Sequence, residues 1–241
     1  LFDLQSDPDE TVNIAGEPEH AERVAEMRSV LKGWMIDTKD MGLLPEAEMH
    51  RRCDGVSPRE YALSGKVPFE RVANLAFDGL GNRRLNDAGD LQDPDSGIRF
   101  WAVRALGMEA RHCSNKFGNR HPKCQVMVRQ LESMMQDESP SVAIVACDAL
   151  LSVGDAQAAK SRLVELADVT KVGHFAAIAA LNVLDMNAQL DAETIAAMKK
   201  LPRSTGKPPV RMGAYVGKLL NHALKTSDPA PKKKPRRNKK K

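Results

Sequence analysis

The chain has 241 residues, 42% of them hydrophobic but only 4% aromatic, enough length for one or two domains whose core must be built from Ala, Leu, Val and Met, a mixture that favours helices. No run approaches the ~20 apolar residues that span a bilayer, and four cysteines, Cys53, Cys113, Cys124 and Cys147, are too few for a disulfide scaffold. The net charge of +4 misleads: the last ten residues hold eight cations, and taking those eight away leaves the remainder at −4, which argues against a nucleic-acid-binding body and leaves only the tail to meet a polyanion.

Residues 1–50 read as a first unit. Leu1 to Leu4 is a short apolar alternation expected to form a strand, closed by a turn at Ser6-Asp7-Pro8-Asp9. A second turn follows at Ala15-Gly16-Glu17-Pro18. From Glu19 the period becomes helical, with Ala21, Val24, Met27, Leu31 and Trp34 or Met35 on one side, and this helix is expected to end between Asp37 and Gly42. A lone strand cannot satisfy its own ladder hydrogen bonds, so Leu1 to Leu4 is expected to need partners encoded upstream, in a longer polypeptide.

Residues 51–66 have no sustained period and read as a linker. Beyond it, closely spaced helices are expected at about Pro68–Leu80, Ser96–Met108, Pro122–Gln136, Pro140–Val153, Ala156–Ala167, Lys171–Leu184, Asp191–Leu201 and Val210–Lys225, with Gly, Pro, Asp or Asn at most breaks. Three of them repeat. A shift of 44 residues lays Asp93–Gly107 over Asp137–Leu151, matching Ile98 to Val142, Ala102 to Ala146, Ala105 to Ala149 and Leu106 to Leu150; a further 31 matches Ala146 to Ala177, Ala149 to Ala180 and Leu150 to Leu181. Small Ala lets helices approach closely and Leu fills the space between layers, as in stacked helical hairpins.

Residues 67–226 thus resemble HEAT-like repeats, whose second helix often begins Asp-x-x-x-x-Val-Arg and runs on through Ala and Leu; Asp93 to Leu106 is the nearest copy, and the later copies lose the Arg. The alternative is an irregular bundle of alanine-rich helices. The resemblance implies a surface for a protein partner. Residues 227–241 are Pro- and Lys-rich with too few apolar residues to offset the entropy of ordering, and are expected to be disordered.

The stretch Leu1-Phe2-Asp3-Leu4-Gln5-Ser6-Asp7-Pro8-Asp9-Glu10-Thr11-Val12-Asn13-Ile14-Ala15-Gly16, continued by Trp34-Met35-Ile36-Asp37-Thr38-Lys39-Asp40, resembles the end of the sulfatase family, which closes its carboxy-terminal subdomain with Leu-Tyr/Phe-Asp-Leu, Asp-Pro-x-Glu and Asn-Leu or Asn-Ile-Ala. It covers about a fifth of the chain. With the helical repeat, the expected fold is mostly α, a HEAT-like stack preceded by a strand-turn-helix segment that this resemblance implies is the remnant of an α/β subdomain. The activity it implies, for an exported parent polypeptide, is hydrolysis of sulfate esters or sulfamates, often on glycans. That chemistry uses a formylglycine made in a Cys/Ser-x-Pro-x-Arg motif and a calcium held by Asp and Asn. This chain lacks that motif: the cysteines are followed two residues later by Gly, Asn, Val and Ala, and Ser6-Asp7-Pro8-Asp9-Glu10 ends in Glu where Arg is required. No catalytic residue is therefore assigned here.

Other constellations have plainer readings. His112, Cys113, His121 and Cys124 offer two imidazoles and two thiols within thirteen residues, a set that could hold zinc, but their spacing fits no common zinc module and a loop that merely collects them is the favoured reading. His50, beside Arg51 and Arg52, could face a sulfated substrate in the parent but reads as a surface histidine. Phe100 and Trp101 read as core aromatics, and His174, aligned with Arg99, as a surface position. The tail cations Lys232, Lys233, Lys234, Arg236, Arg237, Lys239, Lys240 and Lys241 are dense enough to hold sulfated glycan, lipopolysaccharide, nucleic acid or an anionic membrane by counterion release, or serve only as a solubilising terminus.

Overall fold

The computed structural model describes residues 1–78, 89–186, 190–205 and 214–227. Among these, eleven α-helices and no strand are found: α1 Ala21–Asp37, α2 Glu46–Arg52, α3 Pro58–Leu63, α4 Phe69–Asp78, α5 Ser96–Phe117, α6 Pro122–Met134, α7 Pro140–Val153, α8 Ala156–Leu166, α9 Val169–Met186, α10 Ala192–Met198 and α11 Tyr215–Ser227. The chain is mostly helical, and no helix among the described residues is long and apolar enough to cross a membrane. The basic tail cations from Lys232 to Lys241, and the expected helix ends at Leu80 and Val210, lie outside the described residues.

Helix starts follow from local chemistry. Pro58, Pro122 and Pro140 occupy first turns, where a missing N–H costs nothing. Ser57 and Glu60 form a reciprocal capping box on α3. Asp155 accepts the Gln157 and Ala158 amides at 2.9 and 3.0 Å on α8, and Asp191 accepts the Thr194 amide at 2.8 Å on α10. Gly118, at φ +82°, ends α5 in the left-handed conformation that glycine adopts without strain, donating its N–H to Ser114 O at 2.7 Å. Gly173, at φ 80°, kinks α9 near its start.

The strand expected at Leu1 to Leu4 is not formed. These residues meet Ile14 through one backbone bond, the Ile14 amide to Leu1 O at 2.9 Å, and the chain then turns because Asp3 O accepts the Ser6 and Asp7 amides. Asp3 and Asp7 satisfy the local N–H groups with their own carboxylates, which removes the need for a ladder. The stretch 51–66 carries the end of α2 and all of α3, helices too short to leave a period in the sequence.

The chain divides into two compact units, Leu1–His112 and Cys113–Lys241, and the division falls inside α5. In the first, Met41, Leu43, Leu44, Val67, Phe69, Val72, Ala73 and Ile98 are buried together, and α1 adds Met35 and Ile36 to their edge. Trp101 packs on this core and donates its indole N–H to Leu43 O at 2.7 Å. Beneath it lies a polar cluster. Arg52 bonds Glu48 through Nε at 2.8 Å and both Asp95 oxygens at 2.9 Å, and Ser96 Oγ donates to Glu48. Glu48 and Arg52 lie on adjacent turns of α2, whereas Asp95 and Ser96 come from the start of α5.

In the second unit, α6 packs on α7, α7 on α8 and α9, α8 on α9 and α10, and α9 and α10 on α11. Both α7 and α8 therefore touch the next helix and the one after it. Ten of the eleven matched positions of the internal repeat share an environment: Ile98, Ala102, Leu106, Val142, Ala146, Ala149, Leu150, Ala177, Ala180 and Leu181 are buried, whereas Ala105 is half-buried. The aligned aspartates also share one turn, with Asp93, Asp137 and Asp168 each accepting the backbone N–H two residues on, at 2.8, 2.8 and 3.0 Å. His174, expected at the surface from its alignment with Arg99, has its Nε2 buried, and Arg99 is itself buried with its guanidinium on Asp93 O at 2.8 Å.

Candidate functional site

The residues that carry the sulfatase resemblance build a closed loop rather than a catalytic surface. Asp7 accepts from the Thr11 amide and hydroxyl at 3.0 and 2.9 Å and from the Val12 amide at 2.8 Å; these bonds, the Val12 amide foremost, hold its carboxyl below the usual range. Asp3 is lowered in the same way, by the Gln5 amide first and then the Ser6 hydroxyl. Asn13 Oδ1 accepts from the Leu1 amino group at 3.0 Å and the Ala15 amide at 3.1 Å. The Asp and Asn of the motif are thus spent on backbone groups, and with no Cys/Ser-x-Pro-x-Arg the residues present do not fit a calcium and formylglycine centre. Cys53 and Cys147 are buried free thiols whose pKa burial raises, that of Cys147 to about 12, so neither is poised as a nucleophile.

The loop leads into the most unusual surface of the first unit. Not one residue of the seventeen in α1 is buried. The helix has two apolar sides. One, with Val24, Met35 and Ile36, turns toward α4 and the core. The other holds Met27, Val30, Leu31 and Trp34, spaced i, i+3, i+4 and i+7, which places them in one stripe, and they are 53, 68, 49 and 56% exposed. Met27, Leu31 and Trp34 belong to the apolar face read from the sequence, so the most regular stripe of the helix meets solvent while a mixed face containing Arg28 and Lys32 packs. A helix apolar on two sides is built to be covered on both. Between α1 and α4 runs an open groove of about 420 Å³ lined by Val24, Arg28, Lys32 and Phe77, where Arg28 donates to Phe77 O at 2.9 Å and its guanidinium lies 5.6 Å from the ring centroid.

Of the four residues weighed as zinc ligands, three converge. Cys113, His121 and Cys124 place ligand atoms within 4.8 Å of one another, whereas His112 is exposed and absent from the group. The expected loop is mostly helix: His112 and Cys113 lie on α5, and His121 caps α6. Cys113 and Cys124 are joined as a disulfide with Cα atoms 5.7 Å apart. His50 is exposed on α2, within 3.9 Å of Glu46. Neither the disulfide nor the exposure of the apolar stripe of α1 was reached from sequence.

The chain matches no protein-family model, no curated protein and no solved structure.

Proposed function

We propose that this chain is the carboxy-terminal part of a sulfatase, a sulfuric ester hydrolase acting on sulfated glycans, with a HEAT-like helical-repeat domain appended and no catalytic centre within these 241 residues. The observation that carries the reading is the uncovered stripe Met27, Val30, Leu31 and Trp34 on a helix that follows the sulfatase-like motif directly. Four large apolar side chains at helical spacing need a partner surface, and the body of the parent hydrolase supplies one. Formylglycine and calcium would belong to that body. The HEAT-like part of the reading is supported by helices that touch both their neighbour and the next but one, by small buried residues at matched positions, and by the same aspartate turn in three copies.

The complete reading frame should encode Cys/Ser-x-Pro-x-Arg upstream of Leu1, and its product should hydrolyse an aryl sulfate that the present chain leaves untouched. A frame carrying another helical array in that place would overturn the hydrolase reading and favour the second: a non-enzymatic HEAT-like scaffold for a protein partner, a reading favoured by the alternate-helix contacts of the second unit.

In either case the cations from Lys232 to Lys241 supply a polyanion contact. The full chain should elute from immobilised heparin at higher salt than a chain ending at residue 227. Equal elution would make the tail a solubilising terminus.

A further inference from the structure

We infer that Cys113, His121 and Cys124 form a thiol-gated metal site, which holds a disulfide when oxidised and a zinc-class divalent cation when reduced. The convergence follows from local geometry. Cys113 and Phe117 are four residues apart on α5, hence on one face. His121 stacks on Phe117, with ring centroids 4.8 Å apart and planes 25° from parallel, which lays the imidazole over that face. His121 is also the N-cap of α6 and Cys124 its third residue, the two positions whose side chains meet at a helix start. The result is one imidazole and two sulfurs with ligand atoms within 4.8 Å, both cysteines buried and His121 half-buried.

Two thiolates and a neutral imidazole are a common zinc ligand set, leaving a fourth tetrahedral position for water. The sulfurs cannot do both jobs. A dithiol opens the disulfide by exchange: its own two sulfurs lose two electrons and close on each other, and its two protons end on Cys113 and Cys124 Sγ. The cation then displaces both protons to solvent as it takes the thiolates. On the imidazole, Nδ1 accepts the Lys123 amide at 3.3 Å. Coordination through Nδ1 replaces that bond directly, and coordination through Nε2 moves the ring proton to Nδ1 and ends its acceptor role, so metal and helix cap compete for His121. An oxidising compartment favours the disulfide and a reducing one the metal.

The full chain, reduced with a phosphine under anaerobic conditions and desalted, should bind about one equivalent of Co²⁺ with thiolate charge-transfer absorption, and Zn²⁺ should displace it. The oxidised chain should bind none, and Cys124→Ser should abolish the signal. His121→Ala should weaken binding at least tenfold while the thiolate bands remain, which separates a ligand from a bystander ring. Far-UV circular dichroism of each reduced sample shows whether the helices persist. A reduced, helical chain with two titratable thiols at this pair and no bound cobalt would overturn the inference, as would binding that survives in Cys113→Ser/Cys124→Ser.

Discussion

Arg52→Ala should cost the first unit about 3–5 kcal/mol of stability, because it strips the cation from a buried cluster rather than trimming a surface pair. The Arg52 side chain is 8% exposed and Glu48 1%. Burial disfavours the guanidinium charge, but the hydrogen bonds to Asp95 and Glu48 outweigh it and raise the Arg52 pKa. Without Arg52, Asp95 keeps only the Gly97 and Ile98 amides at the start of α5, at 2.7 and 3.3 Å. Glu48 keeps Ser96 and Arg51, whose side chain is half in solvent. Arg51→Ala, by contrast, removes the exposed partner and should cost under about 1 kcal/mol. Urea unfolding followed by circular dichroism, with Trp101 fluorescence reporting on the first unit, measures both. Equal losses for Arg51→Ala and Arg52→Ala would mean that the cluster is solvated and contributes as a surface pair does.

The same cluster sets a pH dependence. Burial raises the Asp95 pKa, yet the Arg52 hydrogen bonds and charge and the Gly97 and Ile98 amides outweigh it, and the folded value is lowered. A carboxylate whose folded pKa lies below its unfolded one, about 3.9, contributes stability above that unfolded value. The contribution is lost as pH falls through the folded one. The difference between the wild-type chain and Arg52→Ala should therefore be full near neutrality and shrink as acid protonates Asp95.

How much of this was legible in the sequence depends on the range of the interaction. Helix starts at Pro122, Pro140, Ala156 and Ser96 were readable because proline at a first turn and a preceding aspartate act within three residues. The second half of α5 was not: after Met108 the sequence turns polar, and the helix continues to Phe117 with Ala110 and Cys113 buried on one side. A four-residue alternation at Leu1 was too short to distinguish a strand from a loop whose aspartates bond its own backbone. The Glu48–Arg52 pair was missed because α2 is too short to leave a period and Arg52 fell in the expected linker, and Asp95, 43 residues further on, leaves no local signal of the contact. For the candidate sites the same limit applied. The spacing of eleven residues between Cys113 and Cys124 is compatible with a disulfide, a metal or neither, and only the meeting of the end of α5 with the start of α6 decides it. The outer stripe of α1 was readable as a regular apolar face; that it is the face left uncovered required the packing of the other.

Leu150→Ala should cost about 2–5 kcal/mol, the range for removing a fully buried leucine from a site that cannot collapse. Leu150 has no solvent exposure and lies on α7, which packs against α6, α8 and α9, so three helices would have to move to fill the void. Leu181 occupies the matched position of the next copy and is equally buried, so Leu181→Ala should cost a similar amount. The seat of Leu150 can be tested more closely through Gly154. A Cβ added there would lie 2.4 Å from Leu150 Cδ2 and 3.5 Å from its Cβ and Cγ, so Gly154→Ala in the wild-type chain must push the leucine out of place. In the Leu150→Ala background the offending Cδ2 and Cγ are gone and the same methyl enters the vacated space. Gly154→Ala should therefore destabilise the wild-type chain and be neutral or favourable in the variant, a coupling of about 1 kcal/mol or more in a double-mutant cycle by urea unfolding. Strict additivity would mean that Leu150 does not fill the corner between α7 and α8, and the shared environment of the matched leucines would lose its physical basis.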